Sequence, residues 1–488
     1  MLERQPGKLQ PQSRPSAKRG RRGSAGRARA QELHGESGED AGEEEAHNAA
    51  PETPFGPRET VLLKGAQVSG QLLICGATNW DLIGRKDVPK QHVAYKNLGV
   101  SLWGPHRYGC LAKVHVSSVV SGPTACHCLL LTDLGQVYTW GRGDKGQLGH
   151  GDLKRVEAPR PVDALFKFTV VAAACGRSHT LCITETGVVL AFGENHLGQL
   201  GLGTKSNAMP TPKQIVYSGQ PVVKVACGAE FSMLVDCKGN LYSFGCPEYG
   251  QLGHNTDGRF LACANRLEFV CELAPRRVLV FTERTRDGKV NTVPAVCVTD
   301  IACGSNHTLV RDSQRRVFSW GFGGYGRLGH SEQKDEMLPR LVKMFDFPGR
   351  GAASVHAGCS CSFAIIETGA LYFWGTSSTM RESTMYPKPV MDLAGWKIRS
   401  LACGKSSVMV AADESTISWG PSPAFGELGY GDGKQKSSTI AKEVKPLDGI
   451  YIEQVAMGLS FTLMVARDKG EDDEQRILKL PEYNPRDL

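Results

Sequence analysis

The sequence predicts an all-β protein, a seven-bladed β-propeller whose last blade is completed by strands from the N-terminal end of the core. Three observations predict it. A glycine in an "ACG"-like triplet recurs at Gly176, Gly228, Gly304, Gly358, Gly404 and Gly458, with a looser version at Gly122 in "SGPTACHC". A second glycine closes an aromatic strand at Gly141, Gly193, Gly245, Gly321, Gly375 and Gly420, and it follows the first by 17 residues in four repeats, 19 in the first and 16 in the last. The seventh repeat, "VAMGLSFTLMVA" (455–466), lacks its aromatic-glycine strand, and the missing half stands at the other end, in "GQLLICGATNWDLIG" (70–84).

Each element of the repeat follows from local chemistry. "HTLCIT" alternates apolar and polar positions as a half-buried strand does, "ETG" supplies a turn, and "VVLAF" returns as a second strand. The turn comes back as "DLG" (133–135), "CKG" (237–239) and "ETG" (367–369). Beyond the second strand stands "GQLG" at 146–149, 198–201 and 250–253, then "GRLG" at 326–329 and "GELG" at 426–429. The unit starting at "FWGTSSTMRESTMYPKPV" (373–390) has none. Typical strand lengths give four strands per unit, and a repeat of this length is the signature of a propeller blade. Joining head and tail in one sheet removes the open edges of the array. The propeller is expected over 61–467, with a charged C-terminal tail at 468–488.

Charge divides the N-terminal residues. Residues 1–30 hold nine Lys or Arg against Glu3, and residues 31–60 hold nine acids against Arg58. Poor in apolar residues, this stretch cannot bury enough surface to offset ordering, so a disordered basic-then-acidic tail is expected over 1–60. Within it Lys18, Arg19, Arg21 and Arg22 form a nuclear-import or nucleic-acid-contacting patch, and Ser24 after "RRG" is a candidate phosphorylation site. No apolar run of membrane-spanning length and no signal-peptide core is present, so a soluble intracellular protein is expected. Cys175, Cys227, Cys303 and Cys403 recur in the same triplet, which marks them as small core residues rather than disulfide partners.

Look-alike motifs carry no chemistry of their own. Gly141, Gly143, Gly146 and Gly321, Gly323, Gly326 fit a dinucleotide fingerprint, but each leads into a "QLGH" or "RLGH" loop rather than a helix. His127, His179 and His307 repeat with the blade, so they are expected to hydrogen-bond backbone inside it rather than to act as bases. Cys126, His127, Cys128, Cys359 and Cys361 lack the spacing of a zinc site. No catalytic residue, cofactor or metal is predicted.

One interval breaks the rhythm. From the last glycine of "QLG" to the next first glycine the spacing is 27, 27 and 29 residues, but from Gly253 to Gly304 it is 51. The insertion includes "PRRVLVFTERTRDGKVNTVP" (275–294), which reads as two strands about an "RDG" turn carrying Arg284, Thr285, Arg286, Asp287, Gly288, Lys289 and Val290. Loops on rigid scaffolds carry recognition, so this hairpin is the candidate partner-binding wedge.

The "ACGxxHT" and "WGxxxxGQLG" motifs and their period resemble the regulator of chromosome condensation family, over the whole chain apart from its ends. "GQLLICGATNWDLIGRKDVPKQ", "NLGVSLWGPHRYGCL", "FSWGFGGYGRLGH" and "LPEYNPRDL" are similar to its chromosomal-passenger branch. The resemblance implies a propeller that regulates small GTPases of the Rac or Ral kind, by nucleotide exchange without classical catalytic residues, in mitosis and cell spreading. It further implies chromatin, nucleic-acid or microtubule contacts, a monomer, and a location in the nucleus and nucleolus in interphase and at centromere, spindle and midbody in mitosis, with some in the cytoplasm. The alternative is a chromatin- or microtubule-binding scaffold without exchange activity.

Overall fold

A computed structural model describes residues 58–84, 99–111, 114–263, 266–377, 383–421, 423 and 425–485. The basic patch Lys18, Arg19, Arg21, Arg22, the site Ser24 and all but residues 58–60 of the tail expected to be disordered over 1–60 lie outside the described residues. Each repeat folds as the alternation requires. In the second blade, Val170–Cys175, His179–Thr184, Val189–Asn195 and Ser206–Gln214 pair antiparallel in that order. Blades one, three, four, five and six repeat the plan, starting from Val116–Val120, Val222–Cys227, Val298–Cys303, Ala352–Ala357 and Ile398–Cys403.

The seventh blade is made from both ends of the chain. Ile452–Met457 and Phe461–Arg467 supply its inner strands, and Gly70–Ala77 pairs antiparallel with the second of these, from Gly70 opposite Arg467 to Gly76 opposite Phe461. Ser101–Tyr108 adds the outer strand. Residues 58–65 run across neighbouring turns before they reach it: the Glu59 amide donates to Gln220 Oε1 at 2.8 Å and the Leu63 amide to the Glu185 carbonyl at 2.7 Å.

The recurring first glycine has an inter-blade cause. At one mouth of the ring the backbones of successive blades touch, with Arg177 N–H donating to Ala229 O (3.2 Å), Ala229 N–H to Ser305 O (3.0 Å) and Ser305 N–H to Cys359 O (3.3 Å). A Cβ on Gly176, Gly304 or Gly404 would stand 2.7, 2.6 or 2.9 Å from the carbonyl oxygen of Gly228, Gly358 or Gly458, closer than real Cβ atoms come. Only glycine lets the blades approach this far. The cysteines beside these glycines, Cys175, Cys227, Cys303 and Cys403, are buried and free.

Farther along the inner strands, a register shift after the first residue of each places Ser118, Ala172, Lys224, Asp300, Ser354, Ser400 and Gln454 at one equivalent position. Several tie their strand to the next: Lys224 pairs with Asp300 at 2.8 Å, Ser400 Oγ accepts from Val455 N–H at 3.1 Å, and the Gln454 amide bridges both backbone groups of Val119 at 3.0 and 3.1 Å.

The residues after 467, read from the sequence as a charged tail, pack on blade seven. The helix Glu471–Leu478 opens with four acids, which its N-terminal dipole favours, and buries Ile477; Leu480 follows it into the same cluster with Leu73, Val444 and Ile450. Glu482–Tyr483 then pairs parallel with Arg107–Tyr108, held by the Arg107–Glu482 ion pair at 2.7 Å and by the Tyr108 and Tyr483 rings at 5.4 Å. The outer strand of the composite blade therefore has a covered edge. The helix's charges other than the buried Asp473 lie on the outward side, and they hid the two apolar anchors from a compositional reading.

Candidate partner-binding surface

The repeated histidines are structural, and they bond across seams rather than to backbone within their own blade. His127 Nε2 lies 2.8 Å from Thr180 Oγ1, His179 Nε2 2.9 Å from Ser232 Oγ and His307 Nε2 2.9 Å from Ser362 Oγ, each hydroxyl belonging to the following blade. Those hydroxyls donate their single protons to the carbonyls of Gln147, Gln199 and Arg327 at 2.9, 2.8 and 2.8 Å. Each histidine must therefore be the donor, protonated on Nε2. Burial away from water depresses His127 and His179 to about 3 and His307 well below its ordinary value. Rings locked this way stabilise the seam and are unavailable as bases.

The 51-residue interval carries two hairpins where the sequence predicts one. Residues 275–277, expected at the start of the hairpin, belong instead to Glu272–Arg277, the outer strand of blade three. The predicted hairpin is shorter, with Thr282–Arg284 paired to Val290–Thr292 and joined through Thr282 to Arg340 on the outer strand of blade four. Phe281 anchors its base edge-on to Phe318, ring centroids 5.1 Å apart. Its turn is closed by the Thr285 amide donating to the Lys289 carbonyl (2.9 Å) and the Gly288 amide to the Thr285 carbonyl (3.0 Å), with Gly288 at φ 84°, where only glycine is unstrained.

The predicted contact residues divide in two. Arg284 turns back to the blade, pairing with Glu332 at 3.0 Å and approaching Glu336 at 3.9 Å, and Arg340 bonds the same two carboxylates at 2.5 Å each. It anchors the hairpin instead of presenting it, because two half-buried carboxylates need more than one cation. Arg286, Asp287, Gly288, Lys289 and Val290 are exposed at the tip, and Thr285 is half-buried beneath them. The Asp287 carboxyl sits below its ordinary pKa because the Thr285 hydroxyl and its own amide lie beside it.

The second hairpin escaped the sequence reading. Arg259–Leu261 pairs with Leu267–Phe269 in the connection between the third and fourth strands of blade three, and Phe260, Leu261, Leu267 and Val270 are exposed on or beside it. The alternation in "RFLACANRLEFV" was the available signal. It competes with the stronger turn signal of "RDG", which drew the whole insertion to one hairpin.

Residues 71–464 match the RCC1-like domain, a span that starts in the strand closing the ring and ends in its partner. The chain belongs to the RCC1-like family. This RCC1-like propeller is 68% identical over 435 residues to Protein RCC2 of Homo sapiens, an alignment covering 89% of this chain and 83% of that protein. It is 67% identical to the Protein RCC2 homolog of Danio rerio, covering 88% and 87% of the two. Among solved structures, Prp20p from Saccharomyces cerevisiae, described with its binding properties to Gsp1p and histones, is 19% identical and superposes with a TM-score of 0.65 over 85% of this chain and 95% of its own. Human WBSCR16, also 19% identical, gives 0.63 over 82% and 99%. At that identity the two structures share their fold with this chain. No helix among the described residues is long and apolar enough to cross a membrane.

Proposed function

We propose that this RCC1-like propeller binds a small GTPase of the Rac or Ral kind and regulates it, as a noncovalent nucleotide exchange factor, through the hairpin tip on the rim of blade four. The observation that carries the reading is the exposed Arg286–Val290 turn set on a rigid base of ion pairs and packed aromatics. Membership of a family in which Prp20p binds Gsp1p supports it. An exchange factor needs no nucleophile: it binds the nucleotide-free GTPase more tightly than the loaded one, and linkage requires nucleotide affinity to fall by the same factor. Arg286 and Lys289 suit an acidic GTPase surface and would speed encounter and set orientation. Mitotic roles in the nucleus, and at centromere, spindle and midbody, belong to this reading, as does a monomeric active form.

The test is release of labelled nucleotide from a panel of Rac, Ral and other small GTPases by the full chain. Acceleration that disappears in Arg286→Glu/Lys289→Glu supports exchange. No acceleration at saturating protein rejects it in favour of a second reading, a scaffold that engages chromatin, nucleic acid or microtubules through Lys18, Arg19, Arg21 and Arg22, gated by phosphorylation of Ser24. The histone binding described for Prp20p and the charge of that patch favour this second reading.

A further inference from the structure

At several seams the chain passes from an outer strand to the next inner strand by one short connection. A valine opens it, and eight residues on from Val162, Val390 and Val444 stand Val170, Ile398 and Ile452, each the first residue of an inner strand. Two residues before that strand an apolar side chain folds back on the core. It is Phe168, Trp396 or Ile450, and its N–H donates to the Leu165, Leu393 or Leu447 carbonyl at 2.9, 3.3 or 2.9 Å.

The connection between blades four and five departs from this plan. From Val342 the first residue of the inner strand, Ala352, lies ten residues on. The position of the apolar plug is Arg350, exposed, with its N–H donating to the Phe347 carbonyl at 3.0 Å. Phe345, in place of the leucine, fills the core side against Tyr372 and Trp374, ring centroids 6.2 and 5.6 Å away. On the outer side lies a cavity of about 510 Å³ lined by Arg340, Lys343, Arg350, Tyr372, Tyr386 and Ser331, among others. Thr376, Ser377 and Thr384 of the following connection line a separate cleft, toward blade six.

No carboxylate lines this cavity. Glu332 and Glu336 are held by Arg340 and Arg284, and Asp346, on the same turn as Lys343, is not in the lining. The charge of Lys343 reaches Asp287 on the neighbouring hairpin without pairing with it. Among the described residues Lys343 and Arg350 make no ion pair, and the hydroxyls of Tyr372, Tyr386 and Ser331 make no hydrogen bond. Ser331 sends its N–H to the outer strand of the next blade at Met385, as Gly151, Gly203, Asn255 and Gly431 do at their seams. It does so at φ 64°, where three of those four are glycine. A serine there keeps a strained backbone and gains only a hydroxyl at the cavity.

We propose that this cavity binds a phosphate monoester carried on a flat-ringed group. The phosphate sits between Lys343 and Arg350 with the three hydroxyls as further donors, and the ring lies against Tyr372 and Tyr386. Two cations without carboxylate partners suit a group of about −1.5 to −2 charges, and tyrosine faces add what an inorganic ion cannot use. The volume is of the size that takes one such ligand. Phosphotyrosine on another protein and a free nucleoside monophosphate share this chemistry, and the test separates them.

The full chain is titrated by isothermal calorimetry with phenyl phosphate, inorganic phosphate, acetyl-Gly-phosphotyrosine-Gly-amide and adenosine monophosphate. Phenyl phosphate should saturate at roughly millimolar concentration, and at least about tenfold below inorganic phosphate, as its size and its ring require. Lys343→Ala/Arg350→Ala should weaken it at least about tenfold with the melting temperature unchanged, since neither residue holds an ion pair. Tyr386→Ala should weaken it at least about twofold through the lost ring contact. Tighter binding of the phosphotyrosine peptide assigns the site to a phosphorylated protein, and tighter binding of the monophosphate assigns it to a nucleotide. No saturation below about 20 mM, equal binding of inorganic phosphate, or an unchanged affinity in either variant overturns the site.

Discussion

His179 of the second blade donates its Nε2 proton to Ser232 Oγ of the third across 2.9 Å, and Ser232 returns its own proton to the second blade's Gln199 carbonyl at 2.8 Å. The seam is thus closed by a reciprocal pair of hydrogen bonds in a site with no water-accessible surface on either side chain. His179→Ala should destabilise the protein by about 2–3 kcal/mol, from a lost buried hydrogen bond and a cavity. His179→Phe should recover part of this, because Phe231 and Phe461 occupy the same place in their own blades. Urea denaturation of the three proteins decides it; an unchanged midpoint for the alanine variant would remove the seam from the stability argument.

The same histidines set an acid limit. Unfolded, they protonate near pH 6.5, whereas folded His127 and His179 do so only near 3, and the half-buried His254 and His330 near 4 and 3. Above pH 6.5 the rings are neutral in both states. Below it the unfolded chain binds protons that the folded one refuses, so stability falls as pH drops from 6.5 towards 3, by up to about 1.4 kcal/mol per pH unit for each ring. Urea midpoints should decline steeply between pH 7 and 5, and less so in the His179→Phe protein. A flat profile would contradict the neutral tautomers.

Arg284 and Arg286 lie two residues apart and should behave oppositely. Arg284→Ala leaves Glu332 and Glu336 to Arg340 and the exposed Lys334, and should cost about 1–2 kcal/mol, in the range for a partly buried charged hydrogen bond. Arg286→Glu with Lys289→Glu should leave the melting temperature unchanged and weaken GTPase binding. Calorimetry and a binding titration on both variants separate anchor from contact; equal effects on both measurements would refute the division.

Truncation after Arg467 should be severe for residues that look like a tail. It removes the burial of Ile477 and Leu480, about 3–6 kcal/mol together, and uncovers the edge of Ser101–Tyr108. Lower melting temperature with increased light scattering is expected, since an open outer strand templates association. A monodisperse truncated protein that melts like the full chain would show the covering to be dispensable.

How much of this was legible follows from the range of each interaction. The first glycines, the aromatic-glycine strands and the turns repeat because each blade is the same local unit, crowded within itself and, at Gly176, Gly304 and Gly404, against its neighbour, and the orphaned halves at the two ends announced the composite blade. The direction of His179, the pairing of Arg284 with Glu332 and Glu336, the two hairpins inside one insertion, and the docking of Ile477 were not legible. Each joins a side chain to one of several acceptors or pockets about 50 residues or more away, or divides a stretch by an edge strand, and no periodicity records that choice.

The amino-acid sequence by itself determined a ring of seven sheets and the way it closes, because backbone crowding at each blade contact leaves a periodic mark that a single chain can display. The tertiary structure alone decided which charges anchor and which face outward, and to which hydroxyl each seam histidine donates. Partners such as Arg284 and Glu332, or His179 and Ser232, lie some 50 residues apart and meet only in the folded ring.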